Sequence, residues 1–332
     1  MLWIEKYRPD SFNKILGQER IITHLETFAR TGSLPHLLLC GPHGTGKTAS
    51  IGCLSRTLYG DYCDENMTCI QTGDLFFLGR KYLEENEKYS HIYRKDESLL
   101  VNFKNIIRWH ASLRPLDAPF RLLVFEGASA LTREAQQGLR RIMERYSGTC
   151  RFIFTTSHPG ALIPAISSRC LPFFFAPLAG EVITGQLRHI MVEETGDTGT
   201  LRDDDLDLIT RAAQGDMRKA VMLLQVTLQS GEPFDLVRFS QTETNVIANA
   251  IFSAISSGDL HAATRRIETL IIEYGLSSGE VLQELKTVFK REYNDPRIAA
   301  AIGDTDYLLS HGNNEYIQLN ALAARIIGEI FA

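Results

Sequence analysis

The feature that most constrains this chain of 332 residues is a glycine-rich segment at positions 41–48. It fits the pattern GxxxxGK[ST], follows the apolar run Leu34–Cys40 and precedes a helical pattern at residues 48–58. In that context glycines let backbone N–H groups turn toward phosphate oxygens, and the following helix adds the positive end of its dipole. The predicted phosphate-binding residues are Gly41, Pro42, His43, Gly44, Thr45, Gly46, Lys47 and Thr48.

A second part of such a site is an acidic residue that ends a later apolar strand. Here the run 120–125 leads into Glu126, which we predict to share a Mg²⁺ ion with Thr48, while Lys47 reaches the β- and γ-phosphates. The carboxylate that usually follows and activates water is absent, because Gly127 has no side chain. A general base contributes roughly 10²–10⁴ in rate. The sequence therefore supports nucleotide binding more strongly than nucleotide hydrolysis.

Further apolar runs predict a parallel sheet. Residues 150–156 and 170–176 resemble buried strands, although Pro172 would interrupt the ladder of a central strand. Helical patterns alternate with these runs, and one of them opens with Thr132 as a cap. Strands alternating with helices indicate an α/β domain. After Pro177 the strand pattern fades, and three helices are expected at 181–194, 203–213 and 217–228, then a turn at 231–233.

Everything from residue 244 onward has a helical pattern. We therefore predict three domains: an α/β nucleotide-binding domain at 1–178, a small helical domain at 179–240 and an all-α domain at 241–332.

Charge is unevenly distributed along the chain. The net charge of −5 excludes a uniformly basic protein that coats DNA. Residues 1–178 hold 22 Lys and Arg against 17 Asp and Glu, a net +5, whereas residues 179–332 hold 13 against 23, a net −10. Within the first part, residues 101–178 alone hold 10 basic against 4 acidic side chains. This pattern indicates one localised anionic partner.

Neither a membrane nor a secreted location is expected. No run approaches the roughly 18 apolar residues of a membrane span, and the first residues lack the pattern of a signal peptide. Six cysteines form no CxxC pair; Cys63 and Cys69 offer two zinc ligands at most, so reduced thiols are the favoured interpretation. We expect a cytoplasmic protein, or a nuclear one if the source is eukaryotic.

Six segments in this order resemble the AAA+ clamp-loader family, specifically the small subunits of replication factor C. The resemblance covers nearly the whole chain. The segments are Trp3–Pro9, Ile15–Glu19, the phosphate loop, Leu131–Ser147, the Ser168-Arg169-Cys170 triplet and Gly215–Ala220.

The resemblance implies an AAA+ P-loop NTPase domain, a helical lid and a collar that joins subunits in a ring. Such a subunit binds ATP with Mg²⁺ and helps to open a sliding clamp and load it onto primer–template DNA, together with large and small partner subunits. Arg169 would enter a neighbour's ATP site as a finger in trans, and Arg218 would contact the γ-phosphate. Arg8 would border the adenine, and Ser157 stands where many relatives have Asn.

Two pairs of basic residues have helical i,i+4 spacing: Lys104 with Arg108, and Arg141 with Arg145. Facing the inside of a ring, they would track DNA phosphates without reading sequence; a solvated charged face is the alternative.

The chain also departs from the family. The usual DEAD sequence is replaced by Glu-Gly-Ala-Ser at 126–129, which predicts slow or absent hydrolysis at the chain's own site, so that it is an ATPase only within the assembled complex. A longer segment at 71–105 replaces the usual ELNASDERG stretch, and its apolar residues 75–78 are either core or a clamp contact, with core favoured. These departures suggest the second small-subunit type of an archaeal loader.

Two alternatives stay open. One is an autonomous AAA+ DNA motor, which would need an intact catalytic carboxylate. The other is a structural ring subunit that never binds nucleotide, against which Lys47 and Thr48 argue.

Overall fold

The strand that leads into the phosphate loop is buried at every residue, and its side chains alternate between two hydrophobic cores. In this computed structural model it spans Leu37–Cys40 (β1). Leu38 lies in the core on one face of the sheet and Leu39 in the core on the other. A strand covered on both faces reads as a continuous apolar run, which is why the sequence predicted it.

Four further strands join β1 in one parallel sheet. They are Met67–Gln71 (β2), Arg121–Glu126 (β3), Cys150–Thr156 (β4) and Leu171–Phe174 (β5). Their order in the sheet is β2-β3-β4-β1-β5. β5 is an edge strand beside β1, so Pro172 interrupts no central ladder. The predicted parallel α/β fold is confirmed.

The structure describes residues 1–196, 201–230, 243–292, 295–311 and 314–331. In the first of these ranges the helices are Trp3–Lys6 (α1), Glu19–Thr31 (α2), Lys47–Tyr59 (α3), Cys63–Asn66 (α4), Thr72–Leu78 (α5), Arg80–Glu85 (α6), Glu87–Ser90 (α7), Leu99–Ser112 (α8), Arg133–Tyr146 (α9), Pro164–Ser167 (α10) and Gly180–Thr195 (α11). The later ranges hold Asp203–Ala213 (α12), Met217–Ser230 (α13), Glu243–Ser256 (α14), Leu260–Ile272 (α15), Ser278–Glu292 (α16), Pro296–His311 (α17) and Glu315–Ile326 (α18).

The chain divides into two compact units, Met1–Phe234 and Asp235–Ala332. The first contains the sheet together with α1–α13. The second is helical in the residues that the structure describes, and its core is built from apolar side chains of α14–α18 such as Ile251, Ile267, Leu285 and Leu322. The turn predicted at 231–233 and the boundary predicted between 240 and 241 lie outside the described residues. The division into three domains stays a prediction.

Sequence reasoning missed β2. The segment is short and mixes polar with apolar residues, so it lacks the continuous apolar run that marks the other buried strands. Ile70 is buried against α8 and α5 in one core, while Cys69 packs against the other core, so β2 follows the period of two that a strand requires. Thr132 caps α9 as predicted, its hydroxyl accepting a hydrogen bond from the Ala135 N–H at 3.3 Å.

No helix in the part of the chain that the structure describes is long and apolar enough to cross a membrane.

Candidate nucleotide site

The carboxyl ends of the parallel strands meet at one edge of the sheet. Register places Cys40 of β1 beside Thr156 of β4, and Glu126 at the end of β3 beside Gln71 of β2. Ligands bind at this edge of open α/β sheets. A cavity of about 570 Å³ opens here. Nearly all of the predicted nucleotide residues line it: His43, Gly44, Thr45, Gly46, Lys47, Thr48, Arg8, Glu126, Ser157 and Arg218.

Gly41 and Pro42 do not line the cavity; their carbonyl oxygens hold the lysine of the loop. The Lys47 ammonium donates to the Gly41 carbonyl at 2.8 Å and to the Pro42 carbonyl. Burial lowers the pKa of Lys47 below its ordinary value, and the nearby Arg218 guanidinium lowers the pKa further. The carboxylates of Asp216 and Glu126 act in the opposite direction, but less strongly. Two cations this close together suit the binding of a phosphate chain.

The two carboxylate oxygens of Glu126 differ in their hydrogen bonding. Gln71 donates a hydrogen bond to one carboxylate oxygen, Oε2. The other, Oε1, is buried and has no hydrogen-bond partner among the described residues. A buried carboxylate oxygen without a donor is costly unless a cation binds it, so this donor set suits a Mg²⁺ ion shared with Thr48. Gln71 was not predicted as a site residue, because finding it required the missed strand β2.

Gly127 adopts a backbone conformation that disfavours other residues. Its φ of +65° lies in the left-handed region. The Thr72 hydroxyl, at the start of α5, lies 2.5 Å from both the Glu126 and the Gly127 carbonyl oxygens. A Cβ at position 127 would lie 3.6 Å from that hydroxyl. Position 127 thus differs from the family pattern in two respects: it has no carboxylate, and its backbone conformation favours glycine.

The helical part of the first unit touches the phosphate loop directly. The Met217 N–H, at the start of α13, donates to the Gly44 carbonyl at 3.2 Å. A Cβ on Gly44 would lie 1.7 Å from a carboxylate oxygen of Asp216, so only glycine allows this approach. Arg218, the residue after Met217 in α13, lines the cavity. Asp216 was not predicted; the loop pattern alone gives no sign of its neighbour.

The N-terminal segment connects the cavity to α11. The Tyr7 hydroxyl and the Lys6 ammonium both donate to Glu194 at 2.7 Å, and burial together with that carboxylate raises the pKa of Tyr7. Arg8 lines the cavity and lies 3.6 Å from Glu5. On the opposite wall, the Ser157 hydroxyl lies 2.9 Å from Nδ1 of His158.

Arg169 lies away from the cavity, after α10. Its Nη1 donates to the Ala165 carbonyl at 2.7 Å, and its Nη2 donates to the Glu144 carboxylate on α9. The same carboxylate accepts from Nε of Arg140 at 3.3 Å. Arg169 is about one third exposed, with a side-chain exposure of 31%.

The four predicted DNA-binding residues lie on α8 and α9, which pack against each other. The Lys104 stem covers Gly138, where a Cβ would lie 2.5 Å from the lysine Cε. Among the described residues Lys104, Arg108, Arg141 and Arg145 form no ion pair, in contrast to Arg140. The Arg145 guanidinium lies 5.6 Å from the centre of the Tyr146 ring.

The apolar residues 75–78, predicted to be core or a clamp contact, differ in burial. Leu75 is buried in the core and Phe76 packs on Phe103, with ring centres 5.4 Å apart. Phe77 and Leu78 are exposed, at 89% and 49%. Core is therefore confirmed for the first two residues only.

Comparison with known proteins decides the family. The chain is 31% identical over 333 residues to the replication factor C small subunit of Haloarcula marismortui, covering 98% of this chain and 94% of the relative. It is 32% identical to that of Picrophilus torridus, with 98% and 96% covered. The chain belongs to the replication factor C small subunit family.

Two family matches agree with that assignment. The Replication factor C C-terminal domain matches residues 244–325, and the DNA polymerase III, delta subunit family matches residues 17–179. The replication factor C resemblance and the AAA+ fold predicted from sequence are thereby confirmed.

Solved structures show the same fold at low identity. A RuvB variant of Thermotoga maritima superposes with a TM-score of 0.52 at 16% identity, covering 89% of this chain and 91% of that one. The ORC1 protein of Aeropyrum pernix, solved in complex with DNA, gives 0.51 at 19% identity, covering 87% and 82%. At these identities the likeness shows the fold alone.

Proposed function

We propose that this replication factor C small subunit binds ATP with Mg²⁺ in the cavity beside the phosphate loop, as one member of a ring that opens a sliding clamp and loads it onto primer–template DNA. In this proposal Arg169 enters the ATP site of a neighbouring subunit. Hydrolysis at the chain's own site is slow or absent. The protein acts in the cytoplasm, or in the nucleus if the source is eukaryotic.

The observation that carries the proposal is the convergence of opposite charges on one cavity. Lys47 and Arg218 offer positive charge where the phosphate loop ends, and Glu126 offers an unpartnered carboxylate oxygen across from them. Bound there, Mg²⁺ would neutralise phosphate charge, with Thr48 and Glu126 as its protein ligands. Arg8 lines the cavity and would border the adenine, as the family resemblance implies. A structural subunit that never binds nucleotide would need none of these groups.

Slow hydrolysis is supported by the surroundings of Gly127. The carboxylates that line the cavity are Glu5, Asp74 and Glu126. Glu5 pairs with Arg8 at the N-terminal segment, and Glu126 is assigned to the metal. Asp74 lies on α5 and not beside Glu126 at the end of β3, where the family's catalytic carboxylate would follow. The residue directly after Glu126 is Gly127, which has no carboxylate, and this also argues against an autonomous motor.

DNA and subunit partners follow from the family and from charge. The cations of α8 and α9 without carboxylate partners would contact DNA phosphates, and the acidic second unit would form the collar between subunits. The chain's departures from the family pattern favour the second small-subunit type of an archaeal loader.

The test is to restore a carboxylate at position 127 in the assembled complex. Gly127→Glu is compared with Gly127→Gln, because both side chains strain the left-handed backbone by about 1 kcal/mol and only one carries a base. We expect Gly127→Glu to hydrolyse ATP at this site at least ~10-fold faster than Gly127→Gln. The proposal of slow hydrolysis fails if the unchanged chain already hydrolyses ATP at its own site as fast as its neighbours do.

A further inference from the structure

One carboxylate on α9 joins two arginines that belong to different parts of the fold. Oε1 of Glu144 accepts from Nε of Arg140, one turn earlier on the same helix, and from Nη2 of Arg169, 25 residues further along the chain. The Glu144 side chain is 46% exposed and that of Arg140 is 52% exposed, so this cluster lies at the surface rather than in the core.

Arg169 is restrained at two points. Nη1 is tied to the Ala165 carbonyl of α10, and Nη2 is tied to Glu144 on α9. Two of its five N–H donors point at these acceptors from different nitrogens, which fixes the plane of the guanidinium. Of these contacts only Glu144 carries charge. Its own carboxylate is oriented by Arg140, so the restraint on Arg169 runs back to the middle of α9.

Such a cluster contributes little to folding stability, because exposed ion pairs are screened by water and cost side-chain entropy. The cluster can instead matter for the orientation of the Arg169 guanidinium. A guanidinium that must meet phosphate charge in another subunit loses efficiency steeply when it is misplaced by about 1 Å. The two arginines also lower the pKa of Glu144, the larger effect coming from Arg169, so the carboxylate stays ionised across the neutral range.

We propose that Glu144 is a positioning residue for Arg169: it holds the guanidinium in the orientation that serves a neighbouring subunit's ATP site. This inference rests on the proposed role of Arg169 as a finger in trans. The cluster of Arg140, Glu144 and Arg169 has a net charge of +1. Pairing with Glu144 therefore leaves positive charge available to the neighbouring site.

The experiment uses the assembled ring, with the P-loop lysine changed to alanine in every subunit except the neighbour that receives Arg169. Steady-state ATP hydrolysis then reports that one site. Arg169→Ala is expected to lower kcat by about 10³-fold. Glu144→Gln, which keeps an oxygen acceptor and loses the charge, is expected to lower kcat by roughly 10-fold and to leave KM within about 2-fold.

Three further variants separate positioning from a structural effect. Glu144→Asp should recover part of the lost kcat because it restores the charge. The double variant Arg169→Ala with Glu144→Gln should be no slower than Arg169→Ala alone, because Glu144 acts through the arginine. Glu134→Gln, an exposed carboxylate in the first turn of the same helix, should leave kcat unchanged.

The outcomes distinguish the two proposals. If Arg169→Ala leaves hydrolysis at the neighbour unchanged, the finger itself is wrong. If Arg169→Ala slows hydrolysis while Glu144→Gln behaves like Glu134→Gln, the positioning role of Glu144 is wrong and the finger stands. A Glu144→Gln defect that adds in full to the Arg169→Ala defect also contradicts positioning. The melting temperature of each assembled ring checks that folding is intact.

Discussion

The cavity and the surface around Arg169 differ in whether their charged side chains form ion pairs. In the cavity Lys47 has its pKa lowered by burial and by Arg218, and Glu126 keeps a buried oxygen without a described partner. At the surface Glu144 satisfies two arginines at once, and its own pKa is lowered by them. Among the described residues Lys47 forms no ion pair and one Glu126 oxygen has no donor, whereas each charge of the surface cluster has a partner of opposite sign, although that cluster keeps a net charge of +1.

This difference distinguishes a site suited to binding a ligand from a surface suited to holding Arg169 for a neighbouring subunit. Uncompensated charge in a partly buried site costs free energy until a ligand of opposite charge arrives, so the cavity is organised around something the chain does not contain. In the proposed mechanism the restrained Arg169 is already oriented for the neighbouring subunit's site. The same subunit would then combine a site that receives a ligand with a surface that serves another site.

Among the binding measurements, the largest expected effect concerns the lysine of the phosphate loop. Lys47→Ala should weaken ATP binding by about 100-fold, because a charge-assisted contact to phosphate is lost in a partly buried site. Without nucleotide its free energy of unfolding should stay within about 1 kcal/mol of the unchanged chain, since Lys47 is destabilised by its surroundings. Titration calorimetry and chemical denaturation measure the two quantities.

Lys14→Ala is the matched control, because Lys14 also lines the cavity but already pairs with Asp10 at 2.9 Å. It should change ATP affinity by less than about 3-fold. Equal effects of the two substitutions would remove the distinction between uncompensated and compensated cations.

The pH dependence of binding sharpens the same comparison. The pKa of Lys47 in the folded, ligand-free chain is lowered, so its ammonium loses a proton at a lower pH than an ordinary lysine does. ATP affinity should therefore fall as pH rises through that lowered value, by up to ~10-fold per pH unit above it. Stability without ATP should change in the other direction, since between the lowered and the ordinary pKa the unfolded chain binds more protons.

Lys47→Arg keeps its charge throughout and should show a flat profile of affinity over the same alkaline range, whatever its absolute affinity. A profile that falls as steeply as that of the unchanged chain would show that another group titrates.

The smallest effect lies on α9, where compensated and uncompensated arginines are neighbours. Arg141→Gln should reduce the slope of log affinity for double-stranded DNA against log salt by about 1, because one phosphate contact is lost. Arg140→Gln should reduce it by less, since Glu144 already neutralises Arg140. Filter binding of the complex at several salt concentrations measures both slopes, and equal slopes would contradict the assignment.

Collar substitutions provide a second reference for the DNA measurement. Lys286→Gln, at an exposed position in α16 of the second unit, should leave the salt slope unchanged. A change as large as that of Arg141→Gln would place DNA contacts outside α8 and α9.

Much of the nucleotide cavity was predictable from the sequence because its parts are local. About ten consecutive residues are enough to recognise a glycine-rich loop between a strand and a helix. The same holds for an acidic residue at the end of a strand. Gln71 and Asp216 were not predictable, because each joins the site through a neighbour distant in sequence: Gln71 through β2 against β3, and Asp216 through α13 against Gly44.

By itself the sequence determined the parallel α/β fold, the family and the residue types that line the cavity, since strand burial, helix periodicity and loop chemistry are all written in consecutive residues. Only the tertiary structure decided which charges meet. The interactions of Glu126 with Gln71, and of Glu144 with both Arg140 and Arg169, depend on how strands align and helices pack. Electrostatic compensation falls off with distance in space, and separation along the chain does not specify that distance.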